Sequence, residues 1–371
     1  MNILINNTVL ATQIFLSLFT IAVLISLRRQ KSFGGLSIAV TQELKGLAIL
    51  AIVFSHIGYF LVSDQRFLFP LTIAAGLGVN LFLFLSGYGL ATSAISKPLS
   101  TWQFYRRRLL KIYIPFWLVV ITFLVLDFFI GGKMYGSGYI LQSLLGFFPS
   151  ADLWQDLNSP LWYFTFIIFY YLLFPLVFFK KHPLVSAVVL YLVGYFIVRA
   201  EPVFLSDVIH LYKVHLIAFP LGVMIAGLAS KYSGSKTQRA YLQFKEKVKK
   251  FKITKAVIYY FSLAALISVF AYLSYHSNVG TTPRLEEITS LIAGAAIIFV
   301  FLLKRVEIKL FYWFGFFSYE IYLFHWPLLA RFDVFYRFTP AWLATILYLG
   351  LFLAIAWGMR KLIDELKFKR K

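Results

Sequence analysis

The sequence predicts an all-α fold, a polytopic bundle of about ten or eleven transmembrane helices. Of its 371 residues, 60% are hydrophobic and only 14% are charged, and the mean hydropathy is +0.79. Soluble domains carry roughly 25% charged residues. Many apolar stretches here reach the ~20 residues that a helix needs to cross a bilayer. The core of this protein is therefore expected to lie in lipid.

Eleven apolar segments are predicted to be spans. They lie at residues 7–27, 44–63, 71–93, 112–130, 160–179, 184–199, 211–229, 255–275, 287–303, 311–330 and 341–359. The first segment does not have the pattern of a secretory signal, because its basic residues follow the apolar run instead of preceding it. We therefore divide the chain into an additional N-terminal span at 1–31, a membrane domain at 32–360 and a basic tail at 361–371.

Basic residues are distributed unevenly between the two sides of the predicted bundle. If the "RRQK" segment after the first span lies inside, alternation of the spans places most of the 36 lysine and arginine residues inside. Since basic loops stay on the cytoplasmic side, the N-terminus is expected outside and the C-terminus in the cytoplasm of a cell-membrane protein. This placement accounts for most of the net charge of +21, so the charge indicates no nucleic-acid partner.

Two predicted loops are long enough to have structure of their own. The inside loop at 239–252 has aromatic and aliphatic residues at helical spacing among lysines. That pattern is typical of an interfacial helix on anionic lipids, although plain orientation charge explains it equally well. The outside loop at 131–160 is rich in glycine and has an amphipathic middle, which favours a structured cover over the outer face.

The chain contains no cysteine, and this excludes several kinds of site. Thiol nucleophiles, thiolate metal ligands and disulfides are all ruled out within the chain. No metal site is predicted.

The stretch "ELKGLAILAIVFSH", residues 43–56, places a lysine and a histidine in one apolar span. Lys45 and His56 are eleven residues apart, which on an α-helix is three turns plus about 20° and about 16 Å along the axis. They are therefore expected on one face, with Ile49 and Ile52 between them, Lys45 at the cytoplasmic mouth and His56 near the middle of the membrane. This face is either the wall of a substrate path or a structural histidine beside a boundary charge.

Five segments together resemble the acyltransferase 3 family of integral membrane acyltransferases. They are "ELKGLAILAIVFSH", "GVNLFLFLSGYGL", "FYRRRLLKIYIPFW", "SPLWYFTFIIFYYLLFP" and "GFFSYEIYLFHWPL", and they follow the family's order across residues 41–330. Lys45 and His56 match the family's pattern of a basic residue, ten residues and a histidine. Arg108 and Lys111 match its Arg-x-x-Arg segment, with lysine in place of the second arginine.

The resemblance implies an enzyme, an O-acyltransferase of the polysaccharide type. An acyl group, most often acetyl, would pass from cytoplasmic acyl-CoA to a hydroxyl of an extracytoplasmic polysaccharide or lipid-linked glycan. Acetyl-CoA would then be the donor substrate, with no permanently bound cofactor, and residues 32–360 would form the acyltransferase domain. Ile167 and Ile168 stand where many members that act on cell-wall polymers carry glutamate, which favours the polysaccharide-biosynthesis branch.

Four residues are catalytic candidates on this basis. His56 is expected to take a proton from the acceptor hydroxyl as a general base, or to carry the acyl group transiently. Glu43 is expected to orient Lys45 or a nearby arginine. Glu320 is expected to pair with a cation or to orient His56, since a carboxylate inside a span needs a partner. His325 is placed toward the outer half of its span, on the acceptor side.

A basic rim at the cytoplasmic mouth is expected to hold the phosphates of CoA. Its members are Lys45, Arg106, Arg107, Arg108 and Lys111. The substrate-binding candidates within the spans are Ser86, Tyr88 and Trp162. Of these, Ser86 or Tyr88 is expected to donate a hydrogen bond to the thioester carbonyl. The expected partners are acyl-CoA, the glycan acceptor and membrane lipids.

Simpler interpretations stand beside these roles. The positive-inside rule alone predicts the basic rim, and Ser86 and Tyr88 flank Gly87, where close helix packing is expected. The other histidines, which are His182, His210, His215 and His276, fall in loops or near span ends and are assigned no special role. For the whole chain, the alternatives are a transporter or flippase for a glycolipid or polysaccharide, and a scaffold without catalysis. The sequence lacks the inverted repeats typical of transporters.

Overall fold

The computed structural model describes residues 3–30, 35–97, 100–232, 252–276 and 282–368. In this part of the chain, nine helices are long and apolar enough to cross a membrane. The predicted fold class, an all-α polytopic bundle, is confirmed. Almost all of the basic segment at 239–252, predicted as an interfacial helix, lies outside the described residues.

The first half of the described chain is built from long apolar helices. They are α1 (Thr8–Ile25), α2 (Ile38–Ser55), α3 (Ala75–Ser96), α4 (Thr101–Phe129), α5 (Ser137–Leu145), α6 (Trp162–Val177) and α7 (Pro183–Arg199). A π-helical turn, His56–Leu61, continues α2, and short 3-10 turns at Leu71–Ala74 and Ser159–Leu161 lead into α3 and α6.

The second half contains the remaining helices and completes a small sheet. The helices are α8 (Ile209–Lys213), α9 (Ala218–Tyr232), α10 (Lys252–Tyr275), α11 (Pro283–Leu303), α12 (Lys309–Phe316), α13 (Ser318–Ala330) and α14 (Ala341–Phe368). Strand β1 (Leu27–Arg29), which follows α1, pairs antiparallel with β2 (Val306–Ile308), which precedes α12.

All eleven predicted spans correspond to helical segments. Nine of them match the long apolar helices of the described residues. The other two are α7, which is only 17 residues long, and the segment predicted at 311–330, which is interrupted at Phe317 between α12 and α13.

The fourth span begins earlier than predicted, at Thr101 instead of residue 112. The Ser100 side chain caps this helix by accepting a hydrogen bond from the backbone N–H of Gln103. Lysine and arginine are good helix formers, so the basic segment at 106–111 joins the helix instead of forming a loop. Its side chains are therefore spaced with helical periodicity.

Glycines bring α2 and α12 into backbone contact. A Cβ atom on Gly46 would overlap the carbonyl of Phe311, and one on Gly315 would overlap the carbonyl of Gln42. Small residues permit this approach between membrane helices. The contact fixes the helix that leads to His56 against the segment that leads to α13.

A second glycine contact joins α3 to α9. Gly87 lies against the carbonyl of Phe219, and Gly222 lies against the carbonyl of Phe84. The close helix packing predicted at Gly87 is confirmed.

The N-terminal helix α1 packs on the bundle. Phe15 is fully buried, and its ring lies 5.5 Å from that of Phe54 on α2 in an edge-to-face arrangement. The β1–β2 pair, which places Arg28 opposite Glu307, ties the end of α1 to the linker before α12.

The two ends of the bundle differ in composition. We call the end that carries residues 106–111 of α4 the basic end, and the end that carries α5 and the loops up to residue 158 the loop end. Helices α2, α4 and α13 run from the basic end to the loop end, and α14 returns. Two ion pairs follow this arrangement: Asp127 with Arg331 at the loop end, and Glu320 with Arg360 toward the basic end.

Candidate active site

Two histidines from different helices meet near the loop end. His56 Nδ1 lies 2.8 Å from His325 Nε2, and the two ring planes are only 6° apart. His56 begins the π-helical turn after α2, whereas His325 lies on α13. His325 has no exposed surface, but His56 is half-buried and keeps accessible surface.

The hydrogen bonds of this pair fix where its protons lie. His325 Nδ1 is 3.0 Å from the carbonyl oxygens of both Ile321 and Tyr322. Carbonyls only accept, so this nitrogen carries the proton of a neutral His325, and its Nε2 is an acceptor. His56 Nδ1 must then donate to His325. The lone pair of His56 is therefore left on Nε2, which has no hydrogen-bond partner among the described residues.

Aromatic rings surround the accessible side of His56. Phe60 and Trp326 lie edge-on to its ring, at 5.9 and 5.3 Å, and Trp154 packs 6.1 Å from Trp326. Phe60 and Trp154 are 38% and 39% exposed, whereas Trp326 is buried. We call Phe60, Trp154 and Trp326 the aromatic collar. It gives the histidine an apolar surrounding, two of whose three rings are exposed.

The loop predicted as a structured cover contains α5 and packs over the end of α13. Asn158 donates to the Leu323 carbonyl at 2.7 Å, and Trp326 Nε1 donates to the Leu153 carbonyl at 3.2 Å. Burial raises the pKa of the Asp156 carboxyl, which accepts from the backbone N–H of Asp152 at 2.8 Å. The cover therefore places Trp154 beside the histidine pair.

The structure corrects the expected depth of His56. The span begins at Ile38, earlier than predicted, and ends at Leu61, so the histidine lies in its last third instead of at its middle. The expected path along the same face is also closed at Ile49, which is 0% exposed; Ile52 beside it is 6% exposed. A side chain without accessible surface lines no space as large as a water molecule.

A cluster of positive charge lies at the other end of α2. Lys45 is half-buried, and Arg108, Lys111 and Arg360 are the cations whose fields act on it. Of these four, only Arg360 pairs with a carboxylate among the described residues, namely Glu320. We call Lys45, Arg108, Lys111 and Arg360 the cation cluster. Its unbalanced charge suits an anionic ligand.

The arginines of the predicted rim separate into two kinds. Arg106 and Arg107 are exposed. Arg108 turns inward, donates to the Tyr171 hydroxyl at 3.0 Å and stacks 4.8 Å above the Tyr171 ring. Its Nε is buried without a hydrogen-bond partner in the described structure. A buried donor of this kind costs stability unless a ligand or water binds it.

Tyrosines occupy the space between the cation cluster and the histidines. Tyr319 donates to the Ile112 carbonyl at 2.8 Å, and Tyr322 donates to the Pro160 carbonyl at 2.9 Å. Tyr163 packs edge-on to Tyr322 at 5.5 Å. Tyr163 and Tyr319 keep accessible surface, unlike Ile49 on α2.

Glu43 does not have the expected partner. Its carboxylate lies 2.8 and 3.0 Å from Lys304 Nζ and also accepts from the Ile308 backbone N–H. Glu43 and Lys304 are 1% and 7% exposed, so this is a sealed ion pair that ties α2 to the linker before α12. The expectation that Glu43 orients Lys45 or a rim arginine was wrong, because the charge nearest to it comes from a distant part of the chain.

Glu320 takes the first of its two expected roles. It accepts from Arg360 Nε at 2.6 Å and from a second guanidinium nitrogen at 3.1 Å, which joins α13 to α14. The group that orients His56 is therefore His325 and not Glu320. Sequence reasoning missed Arg360, which belongs to the cation cluster although it lies far along the chain.

The three substrate-binding candidates lie on α3 and α6. Ser86 and Tyr88 are half-buried, and Tyr88 stacks on Phe84. Trp162 stacks over His215 at 5.8 Å. In the described structure, none of the three side chains bonds to or stacks on the histidine pair.

His215 was assigned no special role, but the structure places it in a buried polar chain. Its Nδ1 lies 2.8 Å from Asn80 Oδ1, and Asn80 Nδ2 donates to the Ser290 hydroxyl at 2.9 Å. His215 is only 5% exposed. Asn80, a polar residue inside an apolar span, was the sequence signal for these hydrogen bonds, because buried polar groups need partners.

Comparison with known proteins identifies the family. A family model described as an acyltransferase domain matches residues 44–361, which include both histidines and the cation cluster but not α1. No curated protein and no solved structure matches the chain significantly. The match covers most of the chain, and the described residues contain nine helices apolar enough to span a bilayer. This multi-pass membrane protein therefore belongs to the acyltransferase 3 family.

Proposed function

We propose that this protein is an O-acyltransferase that moves an acyl group, in the first instance acetyl, from acyl-CoA to a hydroxyl of a polysaccharide or lipid-linked glycan. The observation that carries the proposal is the unprotonated Nε2 of His56, which has no hydrogen-bond partner in the described structure and belongs to a half-buried ring held by His325. A neutral imidazole with a free lone pair, on a half-buried ring and backed by a fixed hydrogen bond, has the arrangement of a general base.

The reaction follows from this arrangement. His56 Nε2 accepts the proton of the acceptor hydroxyl while the hydroxyl oxygen attacks the thioester carbonyl. The carbon–sulfur bond then breaks, and the leaving thiolate takes the proton back from His56, so the products are an ester and free CoA. His325 is a positioning residue that fixes the ring and accepts its Nδ1–H throughout. In the alternative, in which His56 carries the acyl group, Nε2 itself attacks the thioester.

The cation cluster supports a donor with several phosphates. Lys45, Arg108 and Lys111 have no carboxylate partner among the described residues, and a buried Arg108 Nε is left to donate. Arginine and lysine bind phosphate through charge-assisted hydrogen bonds. With the basic end in the cytoplasm, as the positive-inside rule predicts, the CoA would arrive from there. The C-terminus would then be cytoplasmic and the N-terminus outside.

The closed wall at Ile49 favours a different donor route. The accessible surface of Tyr163 and Tyr319 supports passage of the pantetheine arm between α6 and α13, toward the histidine pair. The tyrosine hydroxyls suit the amide groups of that arm, since buried amides need hydrogen-bond partners.

The aromatic collar supports an acceptor with flat apolar faces and hydroxyl groups. Phe60 and Trp154 are exposed beside His56, so their rings can stack on a sugar while the base reaches one hydroxyl. Family membership favours an enzyme over a transporter, flippase or scaffold.

Acyl transfer from labelled acetyl-CoA to a membrane glycan fraction tests the proposal, with the full-length protein in lipid nanodiscs. We expect transfer by the wild type, near-complete loss in His56→Ala, and no loss in His210→Ala, which removes an exposed histidine. Full transfer by His56→Ala would remove the proposed base. Glycan export without transfer from any acyl-CoA would favour the transporter. Mass spectrometry after mixing with donor alone separates the two chemistries, because only the carrier route acylates His56.

A further inference from the structure

A cavity of about 170 Å³ lies at the basic end, where α3, α4 and α6 meet. Its floor is a stack of three rings, in which Phe174 packs 5.9 Å from Phe104 and 4.7 Å from Phe178. Lys97 and Lys180 stand at its rim. A stacked aromatic floor under a cationic rim suits a ligand that has a flat ring and negative charge.

The charge around this cavity is one-sided. No carboxylate lines it, and both lysines are exposed without an ion-pair partner in the described ranges. A lysine with no neighbouring carboxylate is free to bind phosphate.

The cavity and Arg108 occupy successive layers of one seam between α4 and α6. Phe104 and Arg108 are four residues apart on α4, so they share a face and are separated by about 6 Å along the axis. Tyr171 and Phe174 are three apart on α6 and share a face in the same way. Arg108 contacts Tyr171, and Phe104 contacts Phe174. Arg108, whose Nε has no hydrogen-bond partner in the described structure, therefore lies one helical turn beyond the residues that line the cavity.

We propose that this cavity binds the adenine nucleotide end of acyl-CoA, an inference that rests on the proposed function. The adenine lies on the phenylalanine floor, and the phosphates lie at the two rim lysines, on the side of the cavity that faces solvent. The cavity volume suits one flat ring system, since an apolar cavity of about 150 Å³ binds benzene. A phospholipid headgroup could bind the two lysines but has no flat ring to stack on the phenylalanine floor. The exposed Arg106 and Arg107 are not needed for this site.

Equilibrium binding of adenosine 3′,5′-bisphosphate and of CoA tests this subsite, with the full-length protein in neutral phosphatidylcholine nanodiscs. We expect Lys97→Gln and Lys180→Gln each to raise the Kd of both ligands about fivefold. An exposed ion pair contributes about 1 kcal/mol, which corresponds to that factor. Ser93→Trp, which puts a large ring at the cavity lip, should abolish bisphosphate binding. Acyl transfer by the lysine variants should show a raised KM for the donor, whereas Lys181→Gln should keep the KM of the wild type.

Matched controls and three outcomes make the test decisive. Lys181→Gln and Ser96→Trp make the same changes at exposed positions outside the cavity and should bind like the wild type. If the wild type binds CoA but the cavity variants behave like these controls, the subsite is wrong and the proposed function stands. If the wild type neither binds CoA nor transfers acyl groups, the proposed function fails, and the subsite with it. The lysine variants could bind both ligands like the wild type in neutral nanodiscs and differ from it only in anionic nanodiscs. The lysines would then bind a lipid headgroup, and the inference would be overturned.

Discussion

Two histidines bonded to side chains inside the bundle differ in accessibility. His56 and His215 each bond through Nδ1 to a side chain on another segment, at 2.8 Å in both cases. His56 keeps accessible surface beside the aromatic collar, whereas His215 is 5% exposed and covered by Trp162. A satisfied histidine in a membrane bundle is therefore not by itself a sign of chemistry. The open lone pair is what distinguishes the candidate base.

The largest effect expected from this comparison is at His56. Replacement by alanine should lower the rate of acyl transfer by about 10²–10⁴-fold, the usual contribution of a general base. The rate at saturating donor and acceptor is the measurement, and the KM for CoA should be unchanged. The comparison would break if His215→Ala reduced this rate as severely as His56→Ala.

Substitutions in the sealed Glu43–Lys304 pair should lower the stability of the protein and leave the rate of acyl transfer per folded protein unchanged. Glu43→Gln leaves a buried lysine uncompensated, so we expect it to lower the free energy of unfolding by about 3–5 kcal/mol. Thermal unfolding in nanodiscs measures this, and adding Lys304→Met should restore part of the loss. If Glu43→Gln unfolded at the wild-type temperature but lost acyl transfer, Glu43 would again be a catalytic candidate.

His325 should have an intermediate effect, confined to the chemical step. His325→Ala removes the acceptor of the His56 Nδ1–H, and we expect a rate about 10–100-fold lower with an unchanged donor KM, as for other orienting groups. His325→Gln presents an amide oxygen and should recover part of the rate. Equal losses in both variants would mean that His325 serves packing only.

The smallest effect is expected for the sealed partner of His215. Asn80→Ala removes one buried hydrogen-bonded side chain, and such bonds between membrane helices contribute about 1 kcal/mol. The midpoint of thermal unfolding should fall slightly while the transfer rate per folded protein stays at the wild-type value. A strongly reduced rate would show that this cluster also takes part in the reaction.

The sequence was sufficient for the fold class, because long apolar runs are a local signal. The Lys45–His56 spacing is local too, and it made His56 a candidate whose catalytic role stays a prediction. The contacts that define the site are not local. Glu43 is held by Lys304, and His56 by His325, residues that only tertiary packing brings together. No proline marks the point in the sequence where the helix is interrupted, at Phe317 between α12 and α13. Gly315, which packs against α2, lies just before this interruption. Arg360 also lies in the cation cluster only because tertiary packing brings α14 beside α13.

The hydrogen bonds behind His56 end on two peptide oxygens, those of Ile321 and Tyr322. Such oxygens have no proton to give and do not readily accept one. The histidine pair therefore does not conduct protons across the bilayer. A proton that His56 takes up can therefore leave only through Nε2, and in the proposed reaction it goes to the departing sulfur. Catalysis by this pair would then run without drawing on the electrochemical gradient, and a protonophore should leave its rate unchanged.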